Sequence, residues 1–122
     1  ESGFFEINYG NKKEIHISKN ILDKTQDNTG DGHPSVSPDN KWVIYDSYPN
    51  KARHNHLYLI QNDIKNNPKK VLVGKFLSPL KFNGYNRCDL HPRWSPDSRF
   101  ISIDSAHEGI RKSYLIDISK II

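Results

Sequence analysis

Apolar residues in this chain fall into short runs set apart by turn-forming polar residues. Residues 42–45 (Trp-Val-Ile-Tyr) and 100–103 (Phe-Ile-Ser-Ile) are compact aromatic and β-branched runs bounded by turns, the pattern of buried strands. Residues 57–60 (Leu-Tyr-Leu-Ile) and 114–117 (Tyr-Leu-Ile-Asp) predict the next strand in each case, and residues 70–73 (Lys-Val-Leu-Val) a further one. Residues 33–37 are short and carry a proline near their start, which suits the opening of a strand. Residues 4–8 and 14–17, parted by a turn over Tyr9, Gly10 and Asn11, predict a hairpin. No apolar period of 3.6 residues runs long enough to predict a helix.

These runs repeat. His33-Pro-Ser-Val-Ser-Pro-Asp-Asn-Lys-Trp-Val-Ile-Tyr-Asp-Ser47 aligns without a gap on His91-Pro-Arg-Trp-Ser-Pro-Asp-Ser-Arg-Phe-Ile-Ser-Ile-Asp-Ser105, a constant spacing of 58 residues. Both histidines, both Ser-Pro-Asp turns and both Asp-Ser endings coincide. In each turn proline presets φ at the second position, and Asp, Asn or Ser tolerates the next two. The unit reads as four antiparallel strands, A to D, and tandem four-stranded units are the grammar of a β-propeller blade. A small β-sandwich also has short strands at regular spacing, but a gapless repeat favours the propeller. The expected fold is all-β, about two four-stranded blades of a probable seven-bladed propeller. Residues 1–22 would supply strands C and D of a preceding blade, residues 30–76 a full blade, and residues 86–122 a last blade lacking its outer strand.

Composition adds limits. At 122 residues and 34% hydrophobic content, two blades are too few to bury their own faces, since repeat units need about three or more neighbours. The remainder of the propeller, as another chain or an upstream segment, is therefore an expected partner. The net charge of +4 favours anionic partners, but no basic run with interleaved aromatics argues for nucleic acid. No stretch approaches the ~20 apolar residues of a membrane span. A single cysteine rules out an internal disulfide and leaves the redox compartment open.

In a blade, the segment before strand A and the B–C loop emerge on one face. That rule gathers Asp31, His33, Arg53, His54, His56, Arg87, Cys88, Asp89, His91, His107, Glu108 and Arg111 on a single face. Cys88 and His91 have the C-x-x-H spacing of metal ligands, and thiolate with imidazole suits zinc in a closed four-ligand site. His33 is the counterpart of His91 one unit earlier. His54 is the first choice to complete a His33, Cys88, His91 set, with His56 and Asp89 as alternatives. Arg53, Arg87 and Arg111, with His107, form a cationic set suited to an acidic ligand, because guanidinium forks match carboxylate or sulfate. Arg111 could equally pair with Glu108. Trp42 and Trp94 stand at packing positions, while Tyr48, Phe82 and Tyr85 fall in loops and are candidates for stacking. The repeated Asp46 and Asp104 read as structural hydrogen-bond acceptors. No Gly-rich phosphate loop and no nucleophile elbow are found.

The strings Gly30-Asp-Gly-His-Pro-Ser-Val-Ser-Pro-Asp39, His56-Leu-Tyr-Leu59, Arg87-Cys-Asp-Leu-His-Pro-Arg-Trp-Ser-Pro-Asp97 and Phe100-Ile-Ser-Ile-Asp-Ser-Ala-His-Glu-Gly109 resemble the C-terminal blades of propeller polysaccharide lyases. These are the oligogalacturonate lyases and, closer, the ulvan lyases; the Ser-Pro-Asp turns alone resemble the wider TolB-type propeller repeat. The resemblance implies a secreted or periplasmic bacterial lyase that cleaves uronate-containing polysaccharide by β-elimination. It implies a structural zinc on Cys88 and His91. Manganese is the alternative, since His33 and His91 fall where oligogalacturonate lyases hold that ion; Asp89 and Asn86 replace the third histidine and the glutamine of that site. It also implies catalytic residues in earlier blades, outside this chain. A non-catalytic TolB-type propeller that binds protein or glycan is the alternative.

Overall fold

The computed structural model describes residues 3–8, 13–18, 32–63 and 68–122. The chain divides into two compact units, Glu1–Gly30 and Asp31–Ile122. In the first, β1 (Gly3–Asn8) runs antiparallel to β2 (Lys13–Ser18), with Gly3 opposite Ser18 and Asn8 opposite Lys13. This is the expected strand pair; its turn at residues 9–11, and residues 23–31 of the polar segment after it, lie outside the described residues.

The second unit holds a four-stranded and a three-stranded antiparallel sheet. The first is ordered β3 (Pro34–Val36), β4 (Trp42–Asp46), β5 (His54–Gln61), β6 (Lys70–Leu77). The second is ordered β7 (Arg93–Trp94), β8 (Phe100–Ser105), β9 (Lys112–Asp117). Gly84–Asn86 and Ile118–Lys120 form single 3-10 turns. The all-β class and the strand order A to D, then A to C, are as the sequence predicts. Two strands, β5 and β6, exceed their apolar runs by four residues each. β5 begins at His54, so His54 and His56 stand in a strand and not in a loop as expected. Ladder bonds to β6 extend pairing back to His54, opposite Leu77.

Repetition extends to hydrogen bonds. In the first turn Ser37 Oγ donates to Asp39 and accepts from the Trp42 amide, and the Asp39 carboxylate accepts from the Lys41 amide. In the second, Ser95, Asp97, Arg99 and Phe100 make the same set. The fourth turn residue is left-handed in both, Asn40 at φ 60° and Ser98 at φ 59°. Strand C breaks the 58-residue step. Tyr45 pairs with Tyr58, and its counterpart Ile103 pairs with Tyr114, which is 56 residues on. The second B–C loop is thus two residues shorter. Arg53, at φ 62°, occupies the left-handed turn position that Gly109, at φ 92°, holds in the second unit.

The core lies between the sheets. Ile44, Leu57 and Leu59 pack with Leu90, Ile101, Ile103 and Ile118, all essentially inaccessible to solvent. Alternation places the first three on one face of the four-stranded sheet, where cross-strand neighbours meet. Their counterparts on the three-stranded sheet are Ser102, Ser113 and Leu115, and that face is not apolar. Arg93 lies across it, bonded to Ser102 and to both oxygens of Asp104, and Leu115 is 68% exposed. Further bonds join equivalent ends of the two sheets: Trp94 Nε1 donates to the Ser35 carbonyl at 2.9 Å, and the Asp39 amide to Ser98 Oγ at 3.1 Å.

Candidate functional site

Asp46 ends β4, and its side chain is 1% exposed. An ionised carboxylate in that position requires donors. It has three. The His33 amide donates to Oδ1 at 2.6 Å, and the His91 amide donates to Oδ2 at 3.0 Å. The third is the His33 ring, whose Nδ1 lies 3.1 Å and 3.2 Å from the two oxygens. The two histidines belong to successive repeat units, so one carboxylate grips both. Their rings stack with centroids 3.7 Å apart and planes 25° apart. His91 adopts φ 46°, a left-handed conformation that the bond to Asp46 helps hold. Tyr48 sets its ring edge-on to His33 at 5.9 Å, and the Arg87 guanidinium lies 4.8 Å over Tyr48.

The other residues of the expected metal set are placed differently. Cys88 is buried and lines a shallow cleft with Asp104, Arg111, Lys112 and Ser113. Burial pushes its thiol pKa up, against the opposing pull of Arg111. His54 opens β5, where its amide donates to Asn50 Oδ1 at 3.0 Å. His56 is 1% exposed, with Nδ1 3.1 Å from the Tyr58 hydroxyl. Among the described residues, no three His, Cys, Asp or Glu side chains gather as a metal-holding group. The structure brings His33 and His91 together and braces His33 through Nδ1. Metal-binding imidazoles commonly have such a carboxylate behind them, which leaves Nε2 to ligate.

Each arginine of the expected cationic set has a partner within the chain. Arg53 donates from Nε to the Ser78 carbonyl at 3.0 Å and from a terminal nitrogen to Ser78 Oγ at 3.2 Å. Arg87 donates from Nε to Asp89 Oδ2 at 3.0 Å. Arg111 donates to the carbonyls of Asn86 and Arg87 and lies 5.6 Å over the Phe82 ring. Its expected partner, Glu108, instead accepts from the Tyr114 hydroxyl at 2.6 Å and pairs with Lys112 at 3.6 Å. His107 sits beside this pair, with Nδ1 2.7 Å from Ser105 Oγ and its ring 4.6 Å from that of Tyr114.

Tyr114 is the strongest titration marker of this face. The Glu108 carboxylate accepts a hydrogen bond from its hydroxyl and holds the phenol pKa up, from the ordinary 10.0 to about 12. Because the folded value is raised, the bond contributes stability that is complete below pH 10 and is lost as pH rises through about 12. Ultraviolet titration of the phenols should find a tyrosine ionising near 12, and Glu108→Gln should return it to about 10. A wild-type titration with every tyrosine near 10 would show that the bond does not form.

Two residues outside the expected set, Gly32 and Ser78, also shape this face. Gly32 approaches Asp46 so closely that a Cβ there would lie 1.7 Å from the Asp46 carbonyl oxygen. Its place immediately before His33 was the available signal. Ser78 left none, because a serine that receives an arginine is indistinguishable in sequence from one that does not. Compared with protein-family models, curated proteins and solved structures, the chain finds no match.

Proposed function

We propose that this chain is part of a β-propeller polysaccharide lyase, secreted or periplasmic, that cleaves uronate-containing, ulvan-like polysaccharide by β-elimination. The observation that carries the reading is the braced histidine pair, His33 on His91 over Asp46, beside the cationic and aromatic Arg87–Tyr48 contact. The pair is made from the same position of two successive repeat units. In the elimination a base takes the C5 proton of the uronate, the C4–C5 double bond forms, and the C4–O bond breaks with protonation of the leaving oxygen. The uronate carboxylate must be neutralised for that proton to leave. Arg87 and His107, from the expected cationic set, are the proposed partners of that carboxylate, and the base and acid would belong to blades outside this chain.

Zinc is the first candidate ion and manganese the alternative. His33 suits a ligand's role because Asp46 fixes its ring. His33 and His91 are the two ligands that meet, and zinc held by them would cross-link the repeat units; Cys88 and His54 lie outside that pair and would join it only on rearrangement. Cys88 must lose its proton to ligate, and burial opposes that loss, so affinity should fall as pH drops.

The test uses the full-length polypeptide containing this chain, incubated with ulvan and with polygalacturonate. The expected result is growth of the ultraviolet absorbance of the unsaturated uronate product. Stoichiometric zinc should be found by elemental analysis, and Cys88→Ser should lower the melting temperature before it alters the pH profile of turnover. No absorbance with either polymer counts against the lyase. Metal-free protein with a freely titratable Cys88 thiol counts against the ion.

A non-catalytic, glycan- or protein-binding propeller is the second reading. One observation favours it: Arg53, Arg87 and Arg111 are all hydrogen-bonded within the chain. Binding of the polymers without product would select it.

A further inference from the structure

The segment from Ser78 to Arg87 joins the two sheets, and both of its ends are fastened by arginines. At one end the Ser78 amide donates to the Arg53 carbonyl at 2.7 Å, and the Arg53 guanidinium returns two bonds to Ser78. At the other, Arg111 donates to the carbonyls of Asn86 and Arg87. Between them the chain closes on itself, with Phe82 bonded to Pro79, Asn86 to Asn83 and Arg87 to Gly84. Phe82 sits between the cations of Lys81, at 5.3 Å, and Arg111. Apart from the bond to Ser78 Oγ, every fastening acts on backbone or on Phe82. Tyr85, on the 3-10 turn, is left fully exposed, and Leu80 is 73% exposed.

A lone exposed tyrosine is ordinary on a protein surface. Here it stands on a loop held by two arginines from two repeat units, so the backbone that carries it is fixed before any ligand arrives. Tyrosine supplies a large contact area at little entropic cost, and preorganisation lowers the cost of binding further. The loop and its fastening carry positive charge in Lys81, Arg87 and Arg111, with Asp89 paired to Arg87.

We propose that Ser78–Arg87 is a preorganised recognition loop whose contact residue is Tyr85, a platform on which a sugar ring of an acidic polysaccharide stacks. Arg53 and Arg111 are positioning residues that hold the loop, and Arg87 and Lys81 attract the polymer's charge. The inference rests on the polysaccharide reading above and names its subsite. The apolar C–H face of a pyranose covers the phenol ring, while the ring's carboxylate or sulfate turns toward the cations.

The test is affinity electrophoresis of the full-length polypeptide in gels containing polygalacturonate or ulvan, with neutral dextran as control. Tyr85→Ala should weaken retention by about tenfold, and Tyr85→Phe should stay near wild type. Tyr85 packs on nothing, so its variants should melt as wild type. Arg111→Ala should also weaken retention, but the double variant should bind no worse than Tyr85→Ala, since both act through one loop. Unchanged retention of Tyr85→Ala, with wild type still binding, overturns the platform and leaves the polysaccharide reading intact. Additive losses assign Arg111 directly to the ligand and overturn its positioning role. Wild-type protein retained by neither polymer removes the polysaccharide reading and the platform with it.

Discussion

Replacing Asp46 with alanine should destabilise the fold by about 3 kcal/mol or more, because it strips the acceptor from two backbone amides in one step. Each orphaned buried donor costs roughly 1–3 kcal/mol. The His33 ring loses its anchor as well, so the histidine stack should loosen. Asp104 is the same residue in the second unit, and Asp104→Ala should cost under about 1 kcal/mol, since its pair with Arg93 is substantially exposed. That pair, first among several contacts, holds the Asp104 carboxyl below the ordinary carboxylate range. Denaturant midpoints of the two variants decide the matter. Equal losses at both positions would mean that Asp46 does not join the units.

The second large effect is expected at Gly32. A Cβ there would lie 1.7 Å from the Asp46 carbonyl oxygen, 2.7 Å from its carbon and 2.8 Å from Oδ1. The obstruction is mostly backbone, so it cannot be relieved by a rotamer change. Gly32→Ala must move residue 32 away from β4, and the His33 amide and ring move with it. A loss above about 3 kcal/mol is expected, seen as a lowered melting temperature. Gly84 is the control. Its φ is 59° and nothing lies within 4 Å of its would-be Cβ, so Gly84→Ala should cost only about 1 kcal/mol of backbone strain. If the two glycine variants melt alike, steric approach to Asp46 is not what Gly32 provides.

The repeat carried most of the fold in plain view. Strand order, both Ser-Pro-Asp turns and the structural part of Asp46 follow from residues that recur at one spacing. The two-residue change in strand C was hidden, because the spacing was read from strands A and B, and the difference lies wholly in the loop before C. His56 reads as loop from its polarity, yet His56, Tyr58 and Ile60 alternate as one face of a strand and all three are buried. The site was legible as a neighbourhood and not as a set of partners. Spacing brought His33 and His91 together correctly. It could not show that Arg53 and Arg111 donate to carbonyls, since a backbone acceptor has no letter in the sequence. The same holds for Cys88, whose distance along the chain from His91 says nothing of which way its side chain turns.

The grip of Asp46 on two amides has a consequence for tolerance. A carboxylate holding the same point of two successive units sets the angle between them with little slack, because neither bond, at 2.6 and 3.0 Å, can stretch far before it is lost. Were further units to follow as the proposed propeller requires, small angular errors would accumulate from step to step. A short polar ruler at every junction would limit that drift better than apolar surfaces that can slide. Asp104 is the next ruler, and it is occupied by Arg93 and Ser113. A further unit measured there would have to displace Arg93, an exposed pair that yields for about 1 kcal/mol or less. The occupied acceptor keeps the carboxylate satisfied, and a neighbour offering amides there would displace only an exposed pair.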